Sequence, residues 1–294
     1  LTNLLIEELD LSQINFNGNT LTLQCKQLNK IVGSETFNGS LFLLPKDCRL
    51  TEFTLEGISN IQGDFQCIDY FYVKEFVMPF IRVAGDMTIA LNSGSVNTAA
   101  EIEFPNLLEI GGTLTLENNK NANNITFPSL KKILGSCSVT TSHLKNDIEF
   151  TNLESIGTDG ADAQIKFEIE ATNILCPKLK TINGKFDIAT SSFMFDMEVD
   201  KVSYPNVESI SENLSITCPY SDFGSNGILS IDFSGLKSVK GISISGQGDV
   251  SDFSSFKYLF ENNVLTGESQ WSVKECGYNP TFQEMKDGKY KLAE

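Results

Sequence analysis

Histidine and arginine are almost absent from these 294 residues: His143 stands alone, and Arg49 and Arg82 are the only arginines. Without a second histidine, most imidazole-based catalysis and most His-based metal sites lack the residues they need. The basic side is thin altogether, with 22 Lys and Arg against 38 Asp and Glu, which leaves a formal charge of −16. Nucleic acid and anionic lipid are poor partners for such a chain, because phosphate binding runs on clustered lysine and arginine. No apolar run approaches the ~20 residues of a membrane helix, so no transmembrane segment is expected. The seven cysteines, Cys25, Cys48, Cys67, Cys137, Cys176, Cys218 and Cys276, include no C-x-x-C pair and no metal-ligand spacing. Neither a zinc site nor a dense disulfide framework is expected from them, and no cofactor is expected. No basic-then-apolar leader stands at the start of the chain, which reads as mature or trimmed.

A repeat is present instead: an aromatic, often Pro, any residue, Leu, two residues, Ile, then Gly-x-Leu-x-Ile. Clear copies run Phe104-Pro105-Asn106-Leu107 to Ile110, Gly112, Leu114 and Leu116, and Phe127-Pro128-Ser129-Leu130 to Ile133, Gly135, Cys137 and Val139. Two more start at Cys176-Pro177 and Tyr204-Pro205, looser ones at Met78, Phe150 and Phe233, and traces occur at Leu28-Ile31 and Ile58-Ile61-Gly63-Phe65. From the first residue of one copy to the next (104, 127, 150, 176, 204 and 233, aromatic except Cys176) the spacing is 23, 23, 26, 28 and 29 residues. Apolar residues alternate with Thr and Ser in Leu114-x-Leu116 and Ile242-x-Ile244, and again before the aromatic in Ile102-x-Phe104 and Ile125-x-Phe127, so each unit holds two short strands. One unit cannot bury its apolar row alone, and stacking makes a continuous core. Helical repeats would need apolar spacings of three and four. The expectation is a mainly β chain, a right-handed parallel β-helix (a solenoid of about 23–29-residue coils) with terminal caps: residues 1–24, coils over 25–250, and a closing segment 251–294. Phe193, Phe195, Met197 and Val199 read as a third strand on a long coil, with an exposed aromatic loop as the alternative.

The segment FPNLLEIGGTLTLENN at 104–119 resembles the receptor L domain, the β-helical repeat of insulin-receptor-type ectodomains and fungal cell-wall proteins, over roughly residues 50–246. There is no cysteine-rich module, and the receptor disulfides have no counterpart. The stretch 271–290, WSVKECGYNPTFQEMKDGKY, is similar to the closing segment of leucine-rich-repeat surface proteins and lipoproteins of Bacteroidetes. The resemblance implies an extracellular or cell-surface location, with a lipid anchor through an N-terminal segment outside the sequence, and ligand binding on a sheet face.

Bottom-up, the tail fits a cap, since a solenoid end exposes core and sheet edges. Phe253, Phe256, Tyr258, Leu259 and Phe260 form an apolar cluster, Trp271 and Val273 offer one more strand, and Asn279-Pro280 and Gly288 bracket a short helix. Leu4, Leu5, Ile6, Leu9 and Leu11 supply the apolar residues of the other end.

Two function classes follow. The first is a monomeric, non-catalytic binding or adhesion protein whose partner is a cell-surface protein or glycan. Its face is the outer side of the Gly-x-Leu-x-Ile sheet: Thr113 and Thr115, Ser136 and Ser138, Asn213, Ser215 and Thr217, Ser243 and Ser245, interrupted by Lys185 and Asp187. The other outward row is charged: Glu109, Lys131, Lys132, Glu154, Lys180, Glu208 and Lys237. The alternative is a polysaccharide-active β-helix hydrolase or lyase, which needs paired carboxylates. Asp159 and Asp162, or Asp196, Glu198 and Asp200, are the acids available, although acids on so acidic a chain are mostly solvated. Asp159-Gly160 reads as a plain turn rather than a calcium loop, and His143 as a turn residue. Sequons at Asn38, Asn124 and Asn213 matter only in a eukaryotic secretory host.

Overall fold

The computed structural model describes the chain except residues 2–5, 45–51, 69–73, 91–99, 118, 120–121, 142–143, 145, 161–162, 171–172, 192–200, 219–229, 247–249 and 293–294. The chain is mainly β, and it winds as a parallel β-solenoid. Successive coils lay their strands on three faces. Among the described residues the main sheet has eleven strands, from Thr20–Leu23 to Trp271–Lys274, and the narrow sheet has eight two-residue strands. The third face is divided into sheets of three, five and two strands. All the ladders between coils are parallel.

The repeat motif maps onto one coil. In Ala100–Glu103, Ile102 faces the core from the third face, and Phe104 closes that strand. The Leu107 N–H then donates to Phe104 O, and the same three-residue return recurs at Leu130, Leu153, Leu179, Val207 and Leu236. This is a β-turn with Pro at its second position in four of the six, where the fixed φ of proline suits the bend. The third residue of the turn ties coils together. Ser129 Oγ donates to Pro105 O (2.6 Å), and the amides of Asn152 and Asn206 donate to Pro128 O (2.5 Å) and Pro177 O (2.8 Å). Ile110 enters the narrow sheet and Leu114–Leu116 the main sheet, with Leu107, Ile110, Leu114 and Leu116 all buried.

The motif glycine works by close approach. Gly63, Gly85, Gly112 and Gly135 each donate N–H to the carbonyl of the glycine one coil earlier, at 2.9–3.0 Å. A Cβ on Gly112 would stand 2.7 Å from the Gly85 carbonyl carbon and 2.2 Å from Asp86 Oδ1. The requirement is space between coils rather than a left-handed φ.

Stacked side chains fill the centre. Phe104, Phe127 and Phe150 lie face to face at 4.9 Å. At the next coil the column narrows to Cys176, and Phe167 and Phe186 reach across from the main sheet, with Phe186 5.5 Å from Tyr204. Large and small exchange places between faces, so the layer keeps its volume. Tyr204 is buried and donates its hydroxyl to Ile174 O at 3.0 Å. Cys25, Cys137 and Cys176 are buried free thiols, and burial pushes the thiols of Cys137 and Cys176 well up. Cys67 is buried at an inward position of the same sheet, while the side chain of Cys218 lies outside the described residues.

Several expectations are corrected. The Leu28-Ile31 trace is not a copy of the turn: Ile31 lies on the third face, paired with Leu55. Parallel pairing extends back to Glu8–Asp10, which pairs with Lys30–Val32. Trp271–Lys274 does form one more main-sheet strand, on Ile242–Ser245. The final helix is Phe282–Lys286, and its N-cap is Thr281 rather than Asn279. Thr281 Oγ1 accepts the Glu284 N–H, and the Glu284 carboxylate accepts the Thr281 N–H, a capping box. Gly288, at φ +80°, ends it as read. Tyr258 is exposed, whereas Phe253, Phe256, Leu259 and Phe260 are buried. Phe193, Phe195, Met197, Val199, Leu4 and Leu5 lie outside the described residues.

Candidate functional site

The outer side of the main sheet is set by strict alternation. In Leu114–Leu116, Cys137–Thr140, Asn213–Cys218 and Gly241–Gly246 the apolar residues face in, so Thr115, Ser138, Ser215 and Ser243 face out. Register then aligns them. The central outward row runs Thr22, Phe42, Gln66, Thr88, Thr115, Ser138, Lys166, Asp187, Ser215, Ser243, Ser272. A second row runs Thr140, Glu168, Ala189, Thr217, Ser245, Lys274. Thr88 and Ser272 extend the hydroxyl row beyond the expected residues, and the alternation of Met87-Thr88-Ile89 and Trp271-Ser272-Val273 carried the signal for both.

The interruption is larger than Lys185 and Asp187. The neighbouring strand Ala163–Glu170 adds Lys166 and Glu168. Lys166 pairs with Glu168 along its strand, and Lys185 with Asp187 at 2.9 Å, so each strand carries its own neutral pair. Thr140 Oγ1 also donates to Glu168 at 2.9 Å. The Lys166 ammonium, helped by Thr140, holds the Glu168 carboxyl below the usual glutamate range against partial desolvation. A small-polar surface thus lies on either side of a charged, self-neutralising band.

Thr113, Ser136 and Asn213 occupy a different position, at the start of the main strands. There the side chains serve the fold. The Asp64 N–H donates to Ser40 Oγ (2.9 Å), the Asp86 N–H to Asp64 Oδ1 (2.9 Å), the Thr113 N–H to Asp86 Oδ1 (2.7 Å), and the Gln164 N–H to Ser136 Oγ (3.0 Å). The Ser136 hydroxyl oxygen thus accepts a bond from the next coil. Asn213 is exposed, level with Lys185 and Gly241.

The charged row resolves into two columns. Glu109 and Lys132 face out from the narrow sheet, where Arg82 pairs with Glu109 at 3.0 Å. Lys131, Glu154, Lys180, Glu208 and Lys237 form a corner column, each N–H bonded to the residue one coil earlier. Its signs alternate, and Lys237 pairs with Glu208 at 3.0 Å.

The acids weighed for catalysis are not brought together among the described residues. Asp159 sits on the turn closed by Gly160, at φ +76°, and Asp162, Asp196, Glu198, Asp200 and His143 lie outside the described residues. Among the described residues no group of three His, Cys, Asp or Glu is placed to hold a metal, and no helix is long and apolar enough to cross a membrane. Comparisons with protein-family models, curated proteins and solved structures find no match, and what the structure shows is a parallel β-solenoid of stacked coils.

Proposed function

We propose that this chain is a non-catalytic binding or adhesion protein that presents the outer main sheet to a protein or glycan at a cell surface, as its motif likeness to receptor L domains suggests. The observation that carries the reading is the in-register row of Thr88, Thr115 and Ser138, resumed by Ser215, Ser243 and Ser272. Eleven strands at about 4.8 Å make a face about 48 Å long. Short hydroxyl side chains lose little rotamer freedom when a partner covers them. Their hydroxyls donate and accept, which suits either a peptide or a sugar surface.

Glycan-array and cell-surface protein screens with the purified chain supply the ligand. Thr115→Lys, Ser138→Lys and Ser215→Lys should then each weaken binding at least tenfold, with unchanged circular dichroism. Normal binding by all three, with loss on changing Lys131, Glu154 and Lys180, places the ligand on the corner column and overturns the assignment.

A further inference from the structure

Among the described residues the third face is broken at two places where the other two are closed, between Thr54–Glu56 and Glu75–Val77 and between Ile174–Leu175 and Lys201–Ser203, and the first is the wider opening. The main sheet runs without a break through Ser40–Leu43, Phe65–Ile68 and Met87–Ala90, and the narrow sheet through Thr36–Phe37, Asn60–Ile61 and Arg82–Val83. Among the described residues of the third face, Thr54–Glu56 pairs only with the coil before it, and Glu75–Val77 only with the coil after it, joined by the single bridge Glu52–Glu75. Beyond that bridge the two strands diverge around a groove of about 730 Å³, within the range of ligand pockets.

The corner after Thr54–Glu56 turns at Gly57, φ +78°, while the next carries Met78-Pro79. Inside, level with the bridge, the rings of Phe53 and Phe76 stack at 6.2 Å.

Both lips offer backbone groups. The Thr54 N–H donates to Asn29 O and the Gly33 N–H to Glu56 O, so Thr54 and Glu56 turn toward the earlier coil. The Glu101 N–H donates to Lys74 O and the Met78 N–H to Glu103 O, so Lys74, Phe76 and Met78 turn toward the later one. By the alternation of a parallel ladder, Leu55 and Val77 direct their N–H and C=O into the fork. Its rim is acidic: Glu52, Glu56 and Glu75 are exposed there with Lys74, and the exposed Val77 and half-buried Pro79 give an apolar wall.

We propose that this fork binds an extended segment of a partner protein in which lysine or arginine alternates with small apolar residues. The segment adds as a strand between Leu55 and Val77, its cations on the outer side beside Glu52 and Glu75 and its small apolar side chains turned inward over Phe53 and Leu55. Strand addition draws affinity from main-chain hydrogen bonds and specificity from alternate side chains, and a carboxylate rim selects cations. The site is independent of the hydroxyl face.

The probe is the capped heptapeptide KVKVKVK, with EVEVEVE and KPKPKPK as counterparts. Fluorescence anisotropy with the full chain at low salt should show saturable binding of the first. The second should be at least tenfold weaker for its charge, and the third for its missing N–H groups. E52Q/E75Q should weaken KVKVKVK about tenfold, and hydrogen exchange at Leu55 and Val77 should slow on binding. Absence of KVKVKVK binding at millimolar peptide, equal affinity for EVEVEVE, or protection confined to the main sheet overturns the proposal. So does concentration-dependent protection of Leu55 and Val77 without peptide, which would make the occupant a second copy of this chain. Because Thr115→Lys and Ser138→Lys leave the fork intact, they should bind KVKVKVK normally, which separates this test from that of the hydroxyl face.

Discussion

Gly112 shows how a single missing side chain sets the distance between coils. Its N–H bonds Gly85 O at 2.9 Å, and Asp86 Oδ1 folds over it to accept the Thr113 N–H at 2.7 Å. Gly112→Ala drives a methyl into both partners, one of them backbone, so the coils must separate. A destabilisation of about 1–3 kcal/mol is expected, as for other overpacked sites, read as a lower urea midpoint with unchanged m-value. Gly160→Ala, with open space around it, should meet no such steric clash and show only the cost of its left-handed backbone. The repeat in the sequence marks Gly112 as a recurring position. Periodicity records which positions recur and says nothing of what stands one coil below. The same limit hid the task of Ser136: its alternation with Cys137 put it on the surface, and only the stack reveals its bond to the Gln164 N–H.

At the scale of the strand, inward positions were legible because apolar alternation is a local signal. Leu114, Leu116, Ile188, Leu214 and Ile216 are all buried as their spacing requires. Ala163–Glu170 was harder to see. The turn segment at Gly157–Gly160 pushes it away from the position where Gly-x-Leu-x-Ile falls in other copies, and Ala163 takes the level of Gly184. That strand brings Lys166 and Glu168 onto the hydroxyl face and gives the molecule a pH-sensitive pair. Since the Glu168 carboxyl sits lower in the folded chain than its ordinary value of 4.5, its contribution is complete above that value and is lost as pH falls through the folded value. Wild type should exceed Glu168→Gln in stability by a constant margin above pH 4.5, well under ~1 kcal/mol for so exposed a pair. The margin should shrink below it. A margin that grows on acidification would show the pair to be misassigned. Nothing local marks the fork, since it is a gap in pairing between strands of successive coils.

For the whole molecule, a stack whose coils touch only their neighbours is held most firmly in the middle and least at its ends. The central coils have their rings packed on both sides, Phe127 between Phe104 and Phe150. The closing segment has one side only. Trp271 sits there, buried, its indole N–H donating to Pro280 O at 2.9 Å and its ring within 6.0 Å of Phe253, Phe256 and Phe260. As the single tryptophan it reports on this end alone, whereas far-ultraviolet circular dichroism reports on all strands. In a urea titration the fluorescence transition should therefore come at a lower midpoint than the dichroism transition. Trp271→Ala removes the ring that covers Ile242 and its neighbours, at a cost of about 3–5 kcal/mol to the closing segment. It should also expose the edge of Gly241–Gly246 as a template for pairing between molecules, so that light scattering rises before the central coils unfold. Coincident fluorescence and dichroism transitions in the wild type would show instead that the coils and their closing segment unfold as one cooperative unit.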